Sequence, residues 1–98
     1  MFKYTYDIVL HNTTSMTIQR ACSIAEMLEG YIQPSGAHVQ GVGFGSKPTD
    51  IMITLETCFK LDDLFSIIYD NRIPLGYNDF SIYYSEGYNN VAAIDYGR

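Results

Sequence analysis

Six residues in the middle of the chain, Val39-Gln40-Gly41-Val42-Gly43-Phe44, put two glycines where backbone N–H groups can close on an anion. Glycine has no Cβ, so a ligand can approach such backbone closely. Gly45 and Lys47 extend the stretch, the lysine as a point charge. Gly41, Gly43, Gly45 and Lys47 therefore form one candidate ligand-binding set. The other reactive side chains are dispersed. His11 and His38 are the only imidazoles and Cys22 and Cys58 the only thiols, all on separate segments. A metal site needs several such ligands at close spacing, so neither metal nor cofactor is expected. A Cys–His nucleophile pair would require a thiol beside an imidazole, and Cys22 falls on a helical stripe assigned below to the core. Both thiols read as small buried apolar groups, and both histidines as solvated loop or strand-end residues. Asp62-Asp63 and the pair Glu26 and Glu29 read as solvated helix carboxylates rather than as general acids and bases.

The glycine stretch resembles the phosphate loop of acylphosphatases. That resemblance implies a loop joining the first strand to the first helix, with backbone N–H groups and a helix N-terminus around the phosphate. It also implies an arginine directly after the Phe, and an asparagine on the next strand that orients the attacking water. This chain departs at each point. Gly45 follows Phe44, "SKPTD" leads into the strand "IMITLET" instead of a helix, and that strand holds no Asn. Lys47 cannot reproduce the two-point grip of a guanidinium, and strand-connecting hairpins favour glycine on their own account. The activity is not carried over. No catalytic residue is assigned, and the chain is expected not to be an enzyme.

Tyrosine is the more informative residue type. There are nine tyrosines and no tryptophan. Tyr4 and Tyr6 fall on the apolar phase of a strand and belong to the core. Tyr77, Tyr83, Tyr84, Tyr88 and Tyr96 crowd the C-terminal third beside Asp79, Glu86 and Asp95, and from residue 77 onward Arg98 is the sole basic residue. Tyrosine offers much contact area on few rotatable bonds and is enriched in binding surfaces. Tyr77, Asp79, Tyr83, Glu86, Tyr88, Asp95 and Tyr96 are therefore the candidate partner-binding residues. The competing reading is that these rings edge a small core.

Elements to position these residues follow from periodicity. Phe2 to Leu10 alternates, with Tyr4, Tyr6, Ile8 and Leu10 on one side, which predicts a half-buried strand. "HNTTS" supplies Thr14 or Ser15 as an N-cap. Ile18, Ala21, Cys22, Ala25, Leu28 and Ile32 then recur at helical spacing, and Gly30 with "QPSG" predicts the stop. Ala37 to Phe44 reads as a glycine-broken strand, and Ile51 to Cys58 as an alternating one. Lys60 to Asn71 reads as a helix burying Leu61, Leu64, Phe65 and Ile68, with Asp62 and Asp63 suited to its first turn. "RIPLGYND" breaks it, and Phe80, Ile82 and Tyr84 alternate as a fourth strand. The fold class is α+β: a ferredoxin-like βαββαβ sandwich, a four-stranded antiparallel sheet with two helices on one face. "NNVAAIDYGR" adds either a short edge strand from Val91 to Tyr96 or a segment that wraps the surface. Thr5, Val9, Met52, Thr54 and Tyr83 are expected on the uncovered sheet face, a surface suited to self-association as a homodimer.

Ninety-eight residues, 47% hydrophobic and 17% charged, make one domain spanning 1–98 with material for a core. Phe2-Lys3-Tyr4 shows no basic and apolar leader, and no apolar run approaches the ~18 residues of a membrane span. Two cysteines without CxxC spacing fit a reducing compartment, so the expected location is the cytoplasm. Six Lys and Arg against eleven Asp and Glu give a net charge of −5. The cations are scattered, which argues against direct nucleic-acid binding and against an anionic membrane surface. The leading expectation is a small acidic protein-binding module that occupies or inhibits a partner with a basic surface, in the manner of a bacteriophage accessory protein acting on a nucleic-acid enzyme or defence factor. The alternative is a dimeric small-molecule sensor or sequestering protein using the Gly41–Lys47 set.

Overall fold

Alternating apolar and polar side chains set the sheet. The computed structural model of the chain describes residues 4–11, 17–32, 37–44, 49–77, 79–84 and 94–97. Its strands are β1 (Tyr4–His11), β2 (Ala37–Phe44), β3 (Asp50–Thr57), β4 (Asp79–Tyr84) and β5 (Ile94–Tyr96), arranged in the order β2-β3-β1-β4-β5 with every pairing antiparallel. In the central strand, Ile8 lies opposite Ile53 and Ile82, and Leu10 opposite Ile51 and Phe80. Because strand side chains alternate, these residues share one face with Tyr6 and Leu55, and all are buried. The sheet is one strand wider than the four expected. The addition is β5, inside the stretch anticipated as an edge. On the other edge, a register shift between Val39 and Gly41 puts a bulge at Gln40, and Glu29 Oε2 accepts the Val39 N–H at 2.8 Å. Both features blunt an edge against further pairing.

Helix α1 (Ile18–Ile32) buries Ala21, Ile24, Ala25, Leu28 and Ile32. At about 100° per residue, Ile24, Leu28, Ala21 and Ala25 span roughly 100°, and Cys22 lies about 60° beyond Ala25. Cys22 is therefore exposed, and so is Ile18 at the helix start. Ile24 holds the core position that periodicity assigned to Cys22. Cys58, just after β3, is exposed as well, so neither thiol is a buried apolar group. Thr17 Oγ1 accepts the Arg20 N–H at 3.2 Å and caps the first turn, while Thr14 and Ser15 lie outside the described residues. Gly30 sits inside the helix, which continues past it to Ile32.

Helix α2 (Leu61–Asp70) buries Leu64 and Ile68, with Leu61 and Phe65 packed partly against the core. The segment expected only to break it forms a further turn, α3 (Arg72–Leu75). Gly76, at φ 81°, closes that turn in the left-handed region, its N–H donating to the carbonyls of Arg72 and Ile73. The buried stripes of α1 and α2 and the inward residues of the four longer strands form one hydrophobic cluster. Among the described residues no helix is long and apolar enough to cross a membrane.

Candidate functional site: the outward face of the sheet

With both long helices packed on the inward face, the outward side chains form a second, polar layer. Asp7, Asp50, Glu56, Asp79 and Asp95 all occupy outward positions, interleaved with Thr5, Val9, Met52, Thr54, Ser81 and Tyr83. The described basic residues lie elsewhere: Arg20 on α1, Lys60 just before α2 and Arg72 on α3. Among the described residues, then, five carboxylates share this face with no Lys or Arg at an outward strand position. Several carry a neutral donor. Thr54 Oγ1 donates to Asp7 at 2.8 Å and Gln40 Nε2 donates to Glu56. The expected positions of Thr5, Val9, Met52, Thr54 and Tyr83 on this face agree with the observed register.

One row of the face forms a continuous polar chain across four strands. His11 Nδ1 lies 3.0 Å from Asp50 Oδ1, His11 Nε2 lies 3.1 Å from Ser81 Oγ, and Ser81 Oγ donates to Asp95 Oδ1. The His11 and Asp50 side chains are 11% and 7% exposed and Ser81 is fully buried. His11 is thus a hydrogen-bonded strand residue and not the solvated one expected. Asp, His and Ser in this order is the arrangement that activates a serine nucleophile. Here the Ser81 hydroxyl gives its proton to Asp95 and presents no surface, so no substrate carbonyl reaches it in this conformation. Among the described residues no group of three or more His, Cys, Asp or Glu is placed to hold a metal ion.

The candidate partner-binding residues divide. Asp79, Tyr83 and Asp95 are outward, Tyr83 half-buried opposite Asp7 and Asp95 exposed. Tyr77 is a correction: at 1% exposure it is core, and its hydroxyl donates to the Ile68 carbonyl at 2.5 Å. Burial drives its phenol well above the ordinary value, with nearby Arg72 opposing. Tyr96 also points inward. Its ring meets Phe80, Tyr69 and Phe65 at 5.3, 5.2 and 6.1 Å between centroids, and a hydrogen bond with Tyr69 raises its phenol. Arg72 lies 3.9 Å over the Tyr69 ring, closing the cluster with a cation–π contact. Of the alternative ligand set, Gly41 and Gly43 lie on the outward side of edge strand β2, with open space where a side chain would be. Glu86, Tyr88, Gly45 and Lys47 lie outside the described residues.

Sequence reasoning missed the row of His11, Asp50 and Ser81. Its one sequence signal is a polar residue at an outward phase in each of three apolar strands, which is visible only once the register is known. No protein-family model matches this chain, and no curated protein matches it in sequence.

Proposed function

We propose that the chain is a small acidic protein-binding module that engages a basic partner through the sheet face opposite its helices, occupying or inhibiting that partner. The observation that carries this reading is that Asp7, Asp50, Glu56, Asp79 and Asp95 all occupy outward positions on the sheet face opposite the helices, Asp50 buried and the other four at least partly exposed, with no Lys or Arg at a described outward strand position. Tyr83, half-exposed among these acids, supplies a rigid aromatic anchor. The proposed contact set is accordingly Asp79, Tyr83 and Asp95 with Asp7 and Glu56. Tyr77 and Tyr96 serve the core beneath it. The proposed architecture is the ferredoxin-like plan with a fifth strand, supported by the order β2-β3-β1-β4 and by a single core shared with both helices. A bacteriophage-type accessory role in the cytoplasm, on a nucleic-acid enzyme or a defence factor, suits these features.

The test is capture of a basic partner by immobilised protein, compared with Tyr83→Ala. Loss of an aromatic anchor costs roughly 2 kcal/mol or more, so retention should fall at least tenfold while the melting temperature stays within a few degrees of wild type. Capture unaffected by Tyr83→Ala removes the sheet face from the reading. A second reading, a dimeric small-molecule sensor, draws on the open space over Gly41 and Gly43. It predicts a thermal shift with one member of a nucleotide and metabolite panel, about 2.7 kcal/mol of stabilisation at 100 times the dissociation constant.

A further inference from the structure

The register of β2 fixes which of its backbone groups point away from the sheet. Residues opposite one another in an antiparallel pair alternate between hydrogen-bonded and non-hydrogen-bonded. The Val39 N–H goes to Glu29, so Val39 and Leu55 form a non-hydrogen-bonded pair and the backbone groups of Leu55 face β1. Backbone direction repeats at every second residue, so those of Ile53 and Ile51 face β1 as well. Beyond the bulge at Gln40 their partners are Val42 and Phe44, which therefore turn N–H and C=O to the free side of the edge. Among the described residues, no backbone hydrogen bond from outside the β2–β3 ladder reaches either one. The Glu29 carboxylate and the bulge guard only the Val39 end.

We propose that residues 41–44 pair with the same residues of a second copy of the chain, antiparallel about a twofold axis at Gly43, so that two sheets become one continuous sheet. In that register Val42 of each copy lies opposite Phe44 of the other, and Gly43 meets Gly43 on the axis. Val42 and Phe44 both point their backbone groups outward, so each such pair exchanges two N–H···O bonds. The contact is the same patch on both copies and closes at two. Three features suit it. Of the five described strands, β2 alone holds no Asp, Glu, Lys or Arg, whereas an edge that stays solitary is commonly guarded by charge or by brevity. The opposite edge has both guards, three residues and Asp95. Phe44 is 44% exposed, and pairing lays it beside Val42 of the other copy, an aromatic and β-branched pair of the kind that stabilises sheets. At Gly43 the place of a Cβ is open space, so nothing there holds a second strand away. The outward faces of the two copies then lie side by side, and the acidic surface proposed for partner binding stays uncovered. Because each chain carries −5, pairing tightens as salt rises, opposite in sign to capture of a basic partner.

The test is sedimentation equilibrium of the full chain from micromolar to near-millimolar concentration, with amide hydrogen exchange read at both ends of that range. The mass should rise from one chain to two. The Val42 and Phe44 amides should gain protection with the dimer fraction, about tenfold when nine-tenths of the chains are paired, since exchange then runs through the free tenth. Gly43, whose N–H faces β3 in this register, should be protected throughout. Gly43 has no positive φ and has room for a side chain, so Gly43→Lys and Gly43→Glu keep the fold. Each variant alone sets like charges against one another on the axis and should weaken pairing by up to about fivefold. An equimolar mixture of the two sets Lys against Glu and should restore it. A chain that stays monomeric at the highest concentration overturns the proposal. So does a dimer that forms without added protection at Val42 and Phe44, or equal pairing by the single variants and their mixture.

Discussion

Tyr77 shows what a buried phenol demands and what it returns. Its ring fills core volume against Phe80 while its hydroxyl donates to the Ile68 carbonyl, joining the start of β4 to α2. Tyr6 does the same at the other end of the sheet, donating to the Phe59 carbonyl at 3.1 Å. Burial, with the neighbouring Tyr84 and Tyr4, pushes the Tyr6 phenol up to about 12, and Tyr77 is raised further. Unfolded phenols ionise near pH 10, so between pH 10 and 12 the unfolded chain sheds protons that the folded chain keeps. The stability these groups contribute is whole below pH 10 and lost as pH climbs through that window, at up to about 1.4 kcal/mol per pH unit for each phenol. Urea melts followed by circular dichroism at pH 8, 10 and 11 should show this loss. Tyr77→Phe should cost about 1 kcal/mol at pH 8 by leaving a carbonyl unpaired, and should lessen the further loss between pH 10 and 11, leaving the part that comes from the raised phenols of Tyr6 and Tyr96.

The elements themselves make contrasting demands on their glycines. Gly30 lies within α1, and a Cβ added there would meet nothing within 4 Å, so Gly30→Ala should stabilise by about 0.5–1 kcal/mol through helix propensity. Gly97 has φ 84° and the Asp79 side chain in the way, so Gly97→Ala should lose at least about 1 kcal/mol and loosen β5 first. A shift of 1 kcal/mol moves the melting temperature of a domain this size by about 4–8 °C, enough for thermal unfolding to separate the two signs. The same elements explain how far the sequence could be read. Strands β1, β3 and β4 announced themselves by alternation, and both long helices by their apolar stripes, because those signals are local. Cys22 was misplaced because a stripe drawn through Ile18 is rotated from the one that Ile24 completes. The polar row was not legible: His11 meets Asp50 and Ser81 across 39 and 70 residues of chain, and only the strand register brings them together. Tyr77 failed as a surface residue for a related reason. Nothing in "RIPLGYND" indicated the turn of α3 that delivers its ring to the core.

At the scale of the molecule, a net charge of −5 alone would attract any cation weakly and from every side. Among the described residues the helical side carries Glu26, Glu29, Asp62, Asp63 and Asp70 together with Arg20, Lys60 and Arg72, while the outward sheet positions carry five carboxylates and no Lys or Arg, so the negative field is stronger on the sheet face. Such a field raises association rates with a cationic partner and is screened over about 10 Å at 0.1 M salt. Face and net charge can be separated with two reversals of equal charge. Glu56→Lys changes the sheet face, and Glu26→Lys changes the exposed side of α1. If the sheet face steers the encounter, Glu56→Lys should slow association severalfold at low ionic strength and flatten its salt dependence, while Glu26→Lys does so far less. Stopped-flow association rates between 20 mM and 300 mM salt measure both. Equal slowing by the two variants would mean that only the total charge matters, and the sheet face would lose its claim to be the contact surface.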